Sequence, residues 1–223
     1  MEELRRPMAE FFGVIFVVLI GCGAAVVSSS SIGTLGICFS FGLAHATAHY
    51  VAGPISGGHL NPAVSFAFWL RKKISFKEFI SYGAAQLLGG AAAALLLYLL
   101  MMDKPDFNQM LYSNGFGPHS PGGFPMFSGG LAELLMTSFF ILSFFAVSNS
   151  KGEASSSLLI GATNIGVYLF LTPFTNGSIN PARSFGVALL EGGEALSQVW
   201  FFFLVPLAGS VLAVILEKII IKK

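Results

Sequence analysis

The sequence predicts an all-α membrane protein in which six transmembrane helices and two re-entrant half-helices form an inverted 3+3 repeat. Three observations predict it. Hydrophobic residues make up 54% of the 223 residues and charged residues only 10%, against about 25% charged in an ordinary soluble domain. Six segments are apolar over the length needed to cross a bilayer, about 20 residues. The chain also repeats itself at an offset near 120 residues. Mean hydropathy is +0.76. So little charge excludes a soluble enzyme, and so much apolar surface excludes a disordered chain. A net charge of +1 leaves no basic footprint for nucleic acid.

The expected spans are 8–29, 33–53, 78–102, 127–149, 156–174 and 196–217. The first could be mistaken for a secretory leader, because Arg5 and Arg6 precede it. Its apolar stretch runs from Met8 to Val27 and contains Glu10, whereas a leader core is about 7–15 residues. A first membrane span fits better. Segments 54–73 and 175–195 open with turn formers and then stay apolar for too few residues to cross, which reads as re-entrant. Repeat one covers about 1–102 and repeat two about 127–223. A Gly- and Pro-rich loop, 103–126, joins them and carries HSPGGFP at 119–125. The whole is one domain.

An even number of spans puts both termini on one side. Arg5, Arg6, Arg71, Lys72, Lys73, Lys77, Lys151, Lys218, Lys222 and Lys223 fall on that side, against Lys104 and Arg183 on the other. The excess of lysine and arginine marks the cytoplasmic face. Both termini are therefore expected in the cytoplasm and loop 103–126 outside.

The repeat has three matched landmarks. Glu10 in Met8–Phe11 corresponds to Glu133 in Leu131–Leu134, Asn61-Pro62-Ala63 to Asn180-Pro181-Ala182, and Gln86–Gly89 to Pro206–Gly209. Their offsets are 123, 119 and 120 residues. Each half holds three spans, so the second half enters the membrane from the opposite side. Such inverted repeats place their sites at the midplane between the halves.

Each short segment has a loop that ends in a helix start. Gly57, Gly58, His59 and Leu60 lead to Asn61, and Asn176, Gly177, Ser178 and Ile179 lead to Asn180. Asn is a strong N-cap and Pro is favoured at the first helical position. Non-helical backbone at membrane depth is tolerated only where protein buries it or water lines it. Two such loops entering from opposite sides imply a cavity through the bundle. Two half-helices meeting at their N-termini put partial positive charge at its centre, opposing cations and protons. The Asn61 and Asn180 amides can donate to a passing water oxygen, and the loop backbones can offer a row of carbonyls. Donors, acceptors and dipoles of this kind pass water and refuse ions.

Paired NPA boxes, the AEF/AEL pair and the internal repeat together resemble the aquaporin (major intrinsic protein) family over almost the whole chain. The resemblance implies a homotetramer with one pore per subunit, in a plasma membrane and, from the bacterial look of SGGHLNPAV and SINPARS, a bacterial inner membrane. It implies a passive water channel, with no catalytic residues and no cofactor. It also implies an outer selectivity filter at Phe41, Tyr168, Gly177 and Arg183. Phe41 and Arg183 match the water-selective pattern, as do Ser184, Ala188 and Phe202, while Phe203 replaces a frequent Trp. Tyr168 stands where water-selective members usually have His. Gly177 stands where Thr or Cys occurs, and the missing Cys implies weak sensitivity to mercurials. The two departures push in opposite directions, one filling space and one opening it. The alternative function is therefore a channel for small neutral solutes such as glycerol, ammonia or hydrogen peroxide.

The remaining polar residues have plainer readings. Glu10 and Glu133 are expected to accept hydrogen bonds from the re-entrant loops; a proton relay would need a chain of further carboxylates or histidines. An arginine inside a membrane is costly and functional by default, so Arg183 is expected at the pore rather than snorkelling outward. His59 is expected near the inner pore mouth, and His119 to stabilise a turn. His45 and His49 share a helix face and could hold a metal, but no third ligand is indicated, so no metal is expected. Cys22 and Cys38 read as buried thiols. A coupled transporter would need an ion or substrate site. A junction protein would need loop 103–126 to be adhesive. Neither has positive support in the sequence.

Overall fold

In a computed structural model, residues 2–105, 107–147 and 152–220 are described. All their regular structure is helical: α1 (Glu2–Ser56), α2 (Pro62–Leu70), α3 (Phe76–Met101), α4 (Met126–Val147), α5 (Glu153–Thr175), α6 (Pro181–Glu191), α7 (Gly193–Gln198) and α8 (Phe201–Ile220), with a 3₁₀ turn at Gly117–His119. Lys151, Lys222 and Lys223, three of the basic residues assigned to one side, lie outside the described residues, as do 148–149 of the expected fourth span.

Five stretches of helix are long and apolar enough to cross a membrane. The sequence suggests six spans, and α1 alone is long enough for the first two of them. Its 55 residues are interrupted only at Gly33, where φ is 60° and ψ is −175°. That backbone is open to glycine alone at no steric cost. One residue therefore does the work of the loop expected at 30–32. Similarly α7 and α8 are parted only at Val199–Trp200. Large apolar side chains lie exposed along every long helix, among them Leu43, Leu88, Phe139, Leu158 and Val211. A water-facing surface does not carry so many, whereas lipid covers them.

The helix packing is its own image when the halves are exchanged. The α1–α3 contact corresponds to α4–α8, α3–α6 to α8–α2, and α1–α5 to itself. Small residues permit it. A Cβ on Gly89 would lie 2.5 Å from the Phe11 carbonyl oxygen, and one on Gly209 2.9 Å from that of Leu134. These are corresponding positions in the two repeats. The exchange fails at the next residue. Gly90 lies so close to Ala182 that a Cβ would strike its carbonyl, whereas Ser210 donates from Oγ to the Ala63 carbonyl at 2.7 Å. The α3–α6 crossing is the tighter one.

The two ends of the bundle differ in charge. Arg6 pairs with Glu78 and Arg71 with Glu217, the latter at 2.6 Å. The first ties the start of α1 to the first turn of α3, and the second ties the end of α2 to the end of α8. Gly90→Val should therefore lower the unfolding free energy by about 1–3 kcal/mol through overpacking, or abolish assembly. Gly83→Ala, which meets nothing within 4 Å, should be neutral or better. Thermal unfolding of the detergent-purified variants checks both.

Candidate functional site

The site is built where the two loops meet. Residues 57–61 and 176–180 are non-helical, and 58–61 and 177–180 are buried in the bundle, so their N–H groups need partners. Glu10, fully buried, accepts from His59 N at 2.9 Å, Leu60 N at 2.5 Å and Ser56 Oγ at 2.6 Å. Glu133, also fully buried, accepts from Ser178 N at 2.7 Å, Ile179 N at 2.9 Å and Thr175 Oγ1. Gln86 Nε2 adds a bond to Glu10 at 2.8 Å. Pro206, its counterpart, has no such group.

These bonds hold a strained backbone. Leu60 (φ 52°) and Ile179 (φ 44°) both lie in the left-handed region, at a cost of about 1–2 kcal/mol per residue. They are corresponding residues, each immediately before its Asn. The strain turns each chain into its half-helix. Asn61 Oδ1 then caps α2 by accepting from Ala63 N at 2.8 Å, and Asn180 Oδ1 caps α6 by accepting from Ala182 N at 3.0 Å.

Capping uses each Asn oxygen, so each amide nitrogen faces away from its own helix. Asn61 Nδ2 donates to the Ile179 carbonyl at 2.8 Å and Asn180 Nδ2 to the Leu60 carbonyl at 2.9 Å. The two loops are thus locked reciprocally. An amide nitrogen carries two N–H bonds, and the lock takes one from each. In the expected row of carbonyl acceptors, Leu60 and Ile179 serve this lock. Ser178 accepts from Asn180 N at 2.5 Å, and Asn176 accepts from Arg183 Nη2 at 3.4 Å.

Three of the four filter positions form one layer. Phe41 and Tyr168 stack with centroids 4.2 Å apart and planes at 20°, and the Arg183 Cζ lies 5.7 Å from the Phe41 centroid. Gly177, at φ 62°, is the fourth. A Cβ there would lie 3.0 Å from Tyr168 Cδ1. The space that the missing side chain would open is thus occupied by the tyrosine ring.

Arg183 is fully buried and does not snorkel. It donates to Asn114 Oδ1, to the Tyr112 carbonyl at 2.7 Å and to that of Asn176. Neither ion pair found among the described residues includes it. Carbonyl and amide dipoles hold its charge, leaving a positive centre that no carboxylate contacts.

Loop 103–126 is ordered where it meets the site. Glu191 accepts from Leu111 N and Ser113 N, Asn114 Nδ2 donates to the Thr175 carbonyl at 2.9 Å, and Phe116 N bonds to Gln198 Oε1. His119 contributes a bond to Ser113 Oγ at 2.8 Å. Tyr112 and Asn114 therefore belong to the site, and no sequence signal marked either. Tyr112 sits at φ 69°, which aims its carbonyl at Arg183. Burial pushes its phenol above the ordinary tyrosine range, with Arg183 opposing the shift.

Two cavities flank the loops. One of about 280 Å³ is lined by His49, Gly57, Phe68 and Glu153; the other, about 570 Å³, by Lys104, Tyr112, Ser113 and Asn176. His59 is buried, bonded to Ser65 Oγ at 3.1 Å and packed on Phe68. His49 bonds to Ser157 Oγ at 2.9 Å, and His45 meets Phe140 edge-on. No group of three metal-ligating side chains occurs among the described residues. Cys22 and Cys38 are buried and free.

Residues 1–216 match the major intrinsic protein family. The chain is 41% identical over 221 residues to aquaporin Z of Brucella melitensis, covering 96% of this chain and 97% of that one. Its fold is shared with the X-ray structure of the aquaglyceroporin from Plasmodium falciparum. The TM-score is 0.87 at 22% identity, covering 98% of this chain and 96% of that one.

Glu133→Ala should leave the Ser178 and Ile179 N–H groups unmet. At about 1–3 kcal/mol for each buried unsatisfied donor, the loss is roughly 2–6 kcal/mol. Chemical or thermal unfolding in detergent micelles would show it, and unchanged stability would mean that the loop does not depend on this carboxylate.

Proposed function

The chain belongs to the major intrinsic protein family, and from that premise we propose a water channel that excludes ions and protons. The family are channels rather than enzymes, and the chain is an integral membrane protein that provides a passive path for water. The proposal concerns how these residues do it.

The observation that carries it is the reciprocal lock between Asn61 and Ile179 and between Asn180 and Leu60. It brings the N-termini of α2 and α6 face to face. Each helix end is equivalent to about half a positive charge, so a cation or hydronium meets repulsion from both sides. The remaining amide N–H bonds of Asn61 and Asn180 donate to a water oxygen. A water held by both cannot also accept from its neighbours in the file, which interrupts proton hopping. Arg183 adds a fixed cation at the outer entrance.

In this reading α1 contributes two spans and α3, α4, α5 and α8 one each, while α2 and α6 are half-helices that end at the midplane. The basic end, with Arg6 and Arg71, faces the cytoplasm and contains both termini. Loop 103–126 faces outward. The bacterial inner membrane and a homotetramer with one pore per subunit follow from the family pattern. Tyr168 packed over Gly177 favours water over larger solutes, because the ring takes the room that a missing side chain would free.

Proteoliposomes should shrink faster than empty vesicles when challenged with sucrose in stopped-flow light scattering, and should not re-swell rapidly in glycerol. Shrinkage at the empty-vesicle rate would overturn the proposal. Fast glycerol re-swelling would establish small-solute conduction instead. Gly177→Ala should depress water flux, since its Cβ meets Tyr168 and the left-handed backbone costs alanine about 1–2 kcal/mol. Combining it with Tyr168→His should recover flux. If the double variant stays as slow as the single one, the ring is not what limits that layer.

A further inference from the structure

The outer cavity stops short of the filter. Tyr112 and Asn176 line it, but Phe41, Tyr168, Gly177 and Arg183 do not. Phe41 and Arg183 are fully buried and Tyr168 is 2% exposed. Between cavity and filter stands the Tyr112 ring. Its centroid lies 6.4 Å from that of Phe41, with planes at 32°, and 5.5 Å from the Arg183 Cζ. The Tyr112 and Phe41 rings therefore flank the guanidinium, Tyr168 stacks on Phe41, and of the three only Tyr112 borders the cavity.

The Tyr112 hydroxyl faces Thr172 on α5, whereas the buried Arg183 Nε has no hydrogen-bond partner among the described residues. A buried polar atom left unpaired is unfavourable, so the guanidinium gains when a hydrogen-bonding solute arrives. The backbone on either side is fixed. Leu111 N and Ser113 N bond to Glu191, and the Tyr112 carbonyl bonds to Arg183. What can move is the half-buried ring, which has the outer cavity beside it.

We infer that Tyr112 is a specificity-determining residue, a fifth member of the filter whose ring caps the outer mouth and sets the size of solute that reaches Arg183. The inference rests on the channel reading above. A small solute needs only a partial rotation of the ring, whereas a polyol needs it fully displaced into the vestibule. The carbonyl that holds Arg183 belongs to the backbone and survives a change of side chain.

The test uses proteoliposomes of the wild-type chain and of Tyr112→Ala, Tyr112→Phe and Tyr112→Cys, in sucrose and in glycerol gradients. Alanine and cysteine should raise water flux several-fold and let glycerol in, while phenylalanine should stay near wild type. Treating Tyr112→Cys with benzyl methanethiosulfonate puts an aromatic ring back and should return both fluxes toward wild type. The native Cys22 and Cys38 are buried, so the reagent should not change the wild-type protein. If Tyr112→Ala conducts water but no more glycerol than wild type, or loses flux, the cap is overturned. A benzylated cysteine variant that stays open overturns it as well. If wild type and all variants match empty vesicles, the channel reading falls, and the cap with it.

Discussion

Unsatisfied backbone amides inside an apolar bundle are the constraint on which this structure depends. A helix meets its own N–H groups, but residues 57–61 and 176–180 are not helical and lie where no lipid can hydrogen-bond them. Glu10 and Glu133 resolve this, each accepting two backbone N–H groups and a hydroxyl. Only with those bonds made can Leu60 and Ile179 stay in the left-handed region and turn the chain into a capped half-helix. The Asn lock, the opposed helix ends and the position of Arg183 all follow from that turn.

The two halves share this design, and the differences between them assign function to one end. Arg183 corresponds to Val64 in the first repeat, so only the second repeat carries a cation directly after its Asn-Pro-Ala. Asn114 serves Arg183 and Ser184 together and is itself held to the Thr175 carbonyl. In the first repeat, His59 and Ser65 form the pair that Ser178 and Ser184 form in the second. A symmetric scaffold thus holds two unlike halves, one with a cation beside aromatic rings and one with an imidazole in the corresponding loop.

At the expected filter positions, shape depends on pairs of residues rather than on single ones. Read alone, Gly177 suggests a wide opening and Tyr168 a narrow one. In the structure the ring of one occupies the space left by the other, and Phe41 stacks on that ring. Tyr112 extends the same aromatic layer from a loop more than fifty residues away in sequence. The loop can do so because Glu191, the last residue of α6, and Gln198, the last of α7, bind its backbone.

By itself the sequence determined the class of solvent, the helical spans, the repeat and the residues at its centre. Those signals are local or periodic: run lengths of apolar residues, an Asn-Pro helix start found twice, a carboxylate at the same place in each half. It showed the six apolar stretches but not that Gly33 alone joins two of them, because one residue's φ leaves no trace in hydropathy. It named Phe41, Tyr168, Gly177 and Arg183 only through family resemblance, since nothing near each in sequence says that they meet. Tyr112 and Asn114 had no signal of any kind. Their roles come from a left-handed backbone angle, a carbonyl direction and an amide within reach of Arg183. Contacts between residues about seventy positions apart are decided by how the helices pack, and the tertiary structure alone decided them.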